Sequence, residues 1–442
     1  MSHDVIVVGS RIAGASTALL LARAGLTVLV VDRDTFPSDT LSTHQVQVPG
    51  CALLAKWGLL DKVVAGGTPA TRDVRFHMGT TRIAGRFPTV DGVDAMYSPR
   101  RTILDSILIE AARDAGAEIR ENSIVDELIE RDGRVTGVRM HRKAGGRSDE
   151  TATLVIGADG RNSFVAKAVG AKAERTESPR SVACYAYWDG FALPAGEVYS
   201  SDRRAVGVWP TNDGLVITYC AWPASEFERF RVDLERSLLE TLDGAGDLGQ
   251  RARAARRVSP VRATTDLPNT IRASYGDGWA LAGDAGLVMD PITGQGIGNA
   301  MRDAELLMTA VVGGLEGRHS LTATLRRYQK ARDRQTRAMF DFTVGLASFP
   351  RATPAEQRMF AAIADRADIS DEFFSVLSGV TPITKLFSPS RMIKLVGLRT
   401  FGQLARGQQR HPEPRPAPAE EPAPQLRAPS TGTTLFGRAE GS

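Results

Sequence analysis

The residues best suited to chemistry lie in VVGSRIAGAS (Val7–Ser16) and at Asp32, where a run of β-branched residues ends. Gly9 suits a tight turn, and Gly14 suits a close approach of helix to strand. The first N–H groups of the helix opened there, with its positive dipole end, suit a pyrophosphate. A carboxylate at the end of the next strand, here Asp32, suits the hydroxyls of a ribose. Gly9, Arg11, Ala13 and Gly14 therefore make a candidate dinucleotide loop. Arg11 stands where such loops carry a second glycine. Its side chain either turns outward or lays its guanidinium beside the pyrophosphate. A loop that no longer binds anything is the alternative.

The elements that must position these residues are legible around them. DVIVVG (Asp4–Gly9) reads as a buried parallel strand. In GASTALLLARAG, Ala15, Ala18, Leu19 and Ala22 fall at i, i+3, i+4 and i+7, one apolar helical face, and Gly25 closes the helix. LTVLVVD (Leu26–Asp32) is the second buried strand. Three more segments repeat the theme. Leu154–Ala171 gives a strand, Asp159-Gly160 and a helix from near Ser163. Gly278–Leu307 gives a strand, Gly283-Asp284, and a glycine-rich turn, Gly294 to Gly298, that opens a long helix. Arg100–Ile119 gives an amphipathic helix headed by arginines. Taken singly, Asp159 reads equally as a helix cap and Asp284 as a loop acid.

In this order and spacing, over roughly Asp4–Arg337, the segments resemble the FAD-dependent monooxygenase superfamily with the p-hydroxybenzoate hydroxylase-like fold. Geranylgeranyl reductases and flavin-dependent halogenases share that scaffold. The resemblance implies an α/β fold, a Rossmann-type FAD-binding domain interleaved with an antiparallel β-sheet substrate domain, plus C-terminal helices. It places Arg33 beside the adenine, Arg101 on the FAD phosphates and ribityl chain, and Val125 where the backbone passes the adenine. It gives Asp159 a part in both FAD and NAD(P)H interactions and Asp284 a ribityl hydroxyl. Pro291, Gly294, Gly296, Ile297 and Gly298 match the segment over the flavin ring, where helix N–H groups stabilise the anionic reduced flavin. Phe36–Gly50 runs beneath the cofactor; if it is extended, Thr43, Gln45 and Gln47 share one face. His44 is either a proton shuttle or a hydrogen-bond donor to phosphate or backbone.

The implied cofactor domain takes residues 1–70, 98–180 and 269–345. Residues 71–97 and 181–268 read as a second, antiparallel sheet forming the substrate domain. Alternation there puts Tyr185, Tyr187 and Asp189 on one face and Trp188 on the other. Trp209, Tyr219 and Trp222 add aromatics that suit core packing or an aromatic substrate. Residues 346–410 read as helical, covering the pocket, forming a dimer face or simply packing. Residues 411–442, rich in Pro, Ala and Glu, read as disordered.

Composition narrows the partners. The formal charge of +4, from 55 basic and 51 acidic residues, comes without a basic, aromatic-interleaved block, so no nucleic acid is expected. Cys51, Cys184 and Cys220 have no metal or disulfide spacing. Without a leader-like segment or a long apolar run, a cytoplasmic protein with no membrane span is expected. The five tryptophans do not make the W-x-W-x-I-P of halogenases, and YAYWDGF only echoes the Y-x-W-x-F-P of prenyl reductases. The resemblance then implies a monooxygenase in which NAD(P)H reduces FAD and a flavin hydroperoxide transfers oxygen to an apolar or aromatic small molecule. Flavin-dependent alkene reduction and a non-catalytic flavoprotein are the alternatives. No catalytic side chain is singled out, since the flavin carries the hard chemistry.

Overall fold

The computed structural model describes residues 2–143, 145–201 and 203–408. The tail expected to be disordered lies outside them. The apolar runs at Val5–Val8, Val28–Val31 and Leu154–Gly157 are buried on both faces, as parallel strands between helices must be. They lie in an eight-stranded sheet. Its parallel part runs Trp279–Leu281, Arg147–Gly157, Ser2–Val8, Val28–Val31, Glu118–Arg120. The chain starts in the middle, fills one side, then restarts on the other. A doubly wound sheet opens its ligand crevice at such a switch point. The strands Ser123–Arg131 and Arg134–Arg142 form an antiparallel meander with the early part of Arg147–Gly157.

Ile12–Arg23 forms the first helix and Gly25, at φ +85, follows it. The sequence gives this helix one apolar face, yet Ile12 and Gly14 through Ala22 are all buried. It packs on the sheet and also meets the helices Arg101–Asp114 and Gly296–Leu315. Ser16 and Thr17 are therefore buried too, and the Thr17 hydroxyl donates to the Ala13 carbonyl at 2.7 Å.

The two insertions make one second sheet. Ser181–Asp189, Val216–Pro223, Arg204–Pro210 and Gly196–Ser201 pair antiparallel in that order. Gly196–Ser201 then pairs parallel with Asp73–Met78, which forms a hairpin with Thr81–Arg86. One face sends Tyr185, Tyr187, Trp209 and Ile217 into the core shared with the first sheet. The other packs Cys184, Trp188 and Trp222 under the helices Leu234–Asp243 and Leu248–Ala254. The C-terminal helices Pro354–Ala364 and Ala367–Leu377 cover the outer strand Thr81–Arg86. Phe76, Phe360 and Phe373 form an aromatic cluster there, with centroids 5.3 to 5.9 Å apart. No helix among the described residues is long and apolar enough to cross a membrane.

Candidate active site

The carboxyl ends of four parallel strands bring Gly9, Asp32, Asp159 and Asp284 to one edge of the first sheet. Gly9 sits at φ +98, and a Cβ there would stand 2.6 Å from the Ala158 carbonyl oxygen. A Cβ on Gly14 would stand 1.8 Å from the Gly9 oxygen. Only glycine closes this turn. Position 11 differs: its φ of −76 suits any residue. Arg11 turns away from the loop. Its guanidinium donates to the Ser38 hydroxyl at 2.9 Å, to Asp105 at 3.0 Å and to Asp34 at 3.3 Å, and lies 5.3 Å from the Phe36 ring centroid.

The Asp105 carboxylate, fully buried, accepts Arg101 as well, at 2.9 and 3.0 Å. Arg11 and Arg101 share this carboxylate and Asp34 also answers Arg11, so the charges beside the loop are matched, with the Arg101 guanidinium held next to it. Asp32 accepts the Ser10 N–H at 2.6 Å, the Ser10 hydroxyl at 2.9 Å and the Asp34 N–H at 2.8 Å. It thus braces the loop from the next strand. Arg33 is exposed beside it. The chain leading to half-buried Val125 follows Asp32 closely, with the Ser123 N–H donating to the Asp32 carbonyl at 2.8 Å. Ala13 lies against Gly283, where a Cβ would come within 2.8 Å of the Ala13 methyl.

At the far end of the crevice, Asp284 opens to solvent inside a recess otherwise walled by protein, and no described residue donates to its carboxylate. Enclosure pushes its pKa up to about 6, against the pull of Arg161, Arg101 and Arg272 and with Asp303 adding to the rise. Asp159 is committed locally. It accepts the Ser163 hydroxyl at 2.5 Å and the N–H groups of Phe164 and Val165 at 2.7 and 3.1 Å, capping the helix Phe164–Ala168. Pro291 starts a single 3-10 turn whose cap, Asp290, accepts the Ile292 N–H at 3.0 Å and also the Ser181 hydroxyl of the second sheet. Gly294 follows at φ +64, so close to Gln45 that a Cβ would stand 2.1 Å from its Oε1 and 3.2 Å from Gln47 Nε2. The 20-residue helix Gly296–Leu315 begins there, and a Cβ on Gly296 or Gly298 would meet nothing within 4 Å. Gly296 is exposed and Gly298 half-buried, with buried Ile297 between them. Gln295 ties this turn to the C-terminal helices by donating to the Leu377 carbonyl at 3.0 Å.

The stretch Phe36–Gly50 is not extended throughout. His44 has φ +61, and only the bridge Val46–Tyr97 pairs it to another strand. Gln45 and Gln47 still converge on Gly294, while Thr43 is half-buried and makes no side-chain hydrogen bond with a described residue. His44 points to the second sheet instead. It is fully buried, its Nε2 is hydrogen-bonded to the Tyr187 hydroxyl, and the two rings stack at 5.8 Å. Burial foremost, then Arg101, Arg100 and Arg262, push its pKa down to about 3.

The inward face of that sheet is under-satisfied. The hydroxyls of Tyr185 and Tyr219, the Trp209 indole N–H and His44 Nδ1 are buried without partners. Each such group costs about 1–3 kcal/mol. On the opposite face, the Trp188 and Trp222 indoles donate to Thr218 and Thr241, both at 2.8 Å.

Sequence reasoning missed Asp105, Arg161, Arg262 and Arg272. Asp105 had a signal, four residues after Arg101 on one helix face. Arg272 had none; strand pairing of Ala173–Glu177 with Asn269–Arg272 carries it to Asp284 and Asp159.

A turn that closes only on glycine, a recessed carboxylate without a partner and an open helix N-terminus fit an FAD molecule. The comparisons agree. The chain belongs to the FAD binding domain family, whose profile matches residues 2–343. It is an FAD-dependent enzyme. It is 22% identical over 328 residues, 72% of this chain and 79% of the relative, to 1H-pyrrole-2-carbonyl-(peptidyl-carrier protein) brominase of Pseudoalteromonas luteoviolacea. It is 25% identical over 340 residues, 74% and 83% of the two chains, to digeranylgeranylglycerophospholipid reductase 2 of Methanothermobacter thermautotrophicus. Among solved structures, p-nitrophenol 4-monooxygenase PnpA of Pseudomonas putida superposes with a TM-score of 0.71 at 21% identity, covering 86% of this chain and 98% of that one.

Proposed function

We propose that this enzyme is an NAD(P)H-dependent monooxygenase of the cytoplasm that adds one oxygen atom to a small aromatic molecule, by hydroxylation or epoxidation. The observation that carries the reading is the sheet face of unpartnered Tyr185, Tyr219 and Trp209, which lies against the turn Pro291–Thr293 through Ile292. FAD, when bound, supplies hydride acceptance from NAD(P)H and the activation of dioxygen. The protein's own part is binding and enclosure. Gly9, Ala13 and Gly14 admit the pyrophosphate. Arg101 supplies positive charge there, and Arg11 holds the neighbouring chain. Asp32, Arg33 and Val125 flank the adenosine. Asp284 takes a ribityl hydroxyl, and Asp159 shapes its surroundings through the helix it caps. Thr43, Gln45, Gln47, Pro291, Gly294, Gly296, Ile297 and Gly298 would hold the ring end of the cofactor. The N–H groups of that helix start would supply stabilisation for negative charge without an added acid. The aromatic wall keeps water out and positions the substrate.

Alkene reduction is the second reading, and the relationship to a prenyl-lipid reductase favours it. The polar atoms of the sheet face argue against a purely hydrocarbon guest, because it would leave them unmatched. The deciding experiment supplies a panel of phenols and anilines with NADH or NADPH and isotopically labelled dioxygen. Label in the product, in step with cofactor oxidation, is expected. Turnover of alkenes without oxygen would replace the proposal, and no cofactor oxidation at all would point to a non-catalytic flavoprotein.

A further inference from the structure

The strand end that carries Gly283 and Asp284 is held by three buried side chains from two helices. The Tyr328 hydroxyl, on the helix Leu321–Ala347, donates to the Leu281 carbonyl at 2.7 Å. Arg332, one turn further on and fully buried, donates to the Ser274 hydroxyl and, at 3.0 Å, to the Arg272 carbonyl. Asp303, on the helix Gly296–Leu315, accepts the Gly283 N–H at 3.0 Å through Oδ2. Gly283 is the residue just before Asp284. It sits at φ +57, with Ala13 and Ala300 on the side where a Cβ would stand. Gly296 and Gly298 open the helix of Asp303, so one rigid element sets both the glycine-rich turn and the Asp284 turn.

Asp303 does more than a backbone acceptor requires. It is 1% exposed, and its Oδ1 has no hydrogen-bond partner. The cations near it are engaged elsewhere. Arg332 pairs with Asp333 at 2.6 Å, and Arg302 donates to Asn299 at 2.7 Å with its own Nε buried and unpartnered. A neutral amide would serve the Gly283 N–H at a smaller desolvation cost, so a carboxylate here calls for a second role. The groups facing Asp284 supply one. Arg161 from the Asp159 turn, Arg101 from the helix Arg101–Asp114 and Arg272 from the strand Asn269–Arg272 favour its ionised form. Asp303, from the helix beneath, works the other way. Burial raises the pKa of Asp303 too, against the pull of Arg302, Arg332 and the Gly283 N–H and with Asp333 adding to the rise.

We propose that Asp303 is a positioning residue of the FAD site, which fixes Asp284 in its recess through the Gly283 N–H and, by its charge, makes the hold on FAD sensitive to acid. The inference rests on Asp284 taking a ribityl hydroxyl, and it holds whichever reaction the flavin goes on to perform. An ionised Asp284 accepts that hydroxyl in a charge-assisted bond, and a protonated one loses it. With the Asp284 carboxyl pushed up to about 6, FAD binding weakens as pH falls through that value. Without the charge of Asp303, Asp284 stays ionised to lower pH, and the weakening begins later in an acid titration. Asp303 itself does not touch the cofactor; it acts through Gly283 and Asp284.

The test dilutes the FAD-loaded enzyme at a series of pH values and reads released FAD by its fluorescence. Wild type is expected to hold FAD about tenfold less tightly at about pH 5 than at about pH 7.5. D303N keeps an acceptor for the Gly283 N–H but no charge, and its loss over the same interval shrinks to about twofold to fourfold. D303A removes the acceptor as well and weakens binding by about tenfold at neutral pH, most of which D303N recovers. A side chain with only a structural part would change the affinity without moving the pH at which it falls. Should D303A fail to fold, D303N carries the test alone. An acid-induced loss in D303N that coincides with that of wild type, or wild-type affinity in D303A, would overturn the inference. D284N separates it from the reading beneath. FAD held by D284N as tightly as by wild type would remove both, whereas weak binding by D284N beside an unshifted pH profile in D303N would remove only the role of Asp303.

Discussion

Arg11 occupies a place where glycine is usual, and its backbone explains why an arginine is tolerated. The position needs no positive φ, and the side chain has Ser38, Asp34 and Asp105 to bind outside the loop. R11A should cost about 1–3 kcal/mol in urea denaturation, because a buried carboxylate loses one charged donor. It should leave FAD affinity within about threefold. A large loss of FAD would instead place the guanidinium beside the pyrophosphate. Gly14 permits no such freedom. G14A drives a Cβ into the backbone oxygen of Gly9 and should destabilise by about 3 kcal/mol, with flavin absorbance lost from the purified protein. Gly9, Gly14 and Gly294 were legible in the sequence because an absent Cβ can be read from a single letter. The direction of Arg11 was not, since it depends on Asp105, far along the chain. The turn of His44 away from an extended path was equally hidden. With a pKa near 3 against about 6.5 in the unfolded chain, neutral His44 contributes stability that is fully present above pH 6.5 and is lost as pH falls toward 3. Relative to H44Q, the wild type should lose about 2 kcal/mol between pH 6.5 and 4.5, measured by denaturation at each pH. Parallel pH profiles for the two proteins would contradict this.

At the scale of elements, the strand–turn–helix–strand unit and the long helix from Gly296 could be read directly, because apolar runs and glycines mark their ends. Gly196–Ser201 could not. It lacks clear alternation, and it becomes a strand by pairing with Asp73–Met78, more than a hundred residues earlier. That pairing makes one sheet of two insertions. The C-terminal helices were legible as helices but not in their placement, which follows from the apolar side chains of Phe360 and Phe373 meeting Phe76. They close over the outer hairpin and, through Leu377, hold Gln295 at the turn that faces the cofactor crevice. F373A should therefore cost about 3–5 kcal/mol in urea denaturation, as a buried Phe→Ala change does. A loss below about 1 kcal/mol would mean that these helices do not support the sheet.

Across the whole molecule, the two sheets share one core, and the residues they contribute suit different tasks. The doubly wound sheet offers glycines, a helix start and the isolated Asp284 carboxylate, all suited to a dinucleotide. The antiparallel sheet offers hydroxyls and an indole N–H that the fold leaves without partners. One scaffold serves several reactions among its relatives, so the chemistry rests on the site and not on the fold. The measurement that tests this most directly mixes the FAD-loaded, anaerobically reduced enzyme with dioxygen in a stopped-flow spectrometer. The account predicts a transient absorbance that precedes the return of the oxidised flavin spectrum and decays faster when an aromatic substrate is present. Slow, featureless reoxidation that releases hydrogen peroxide with every aromatic tried would contradict it.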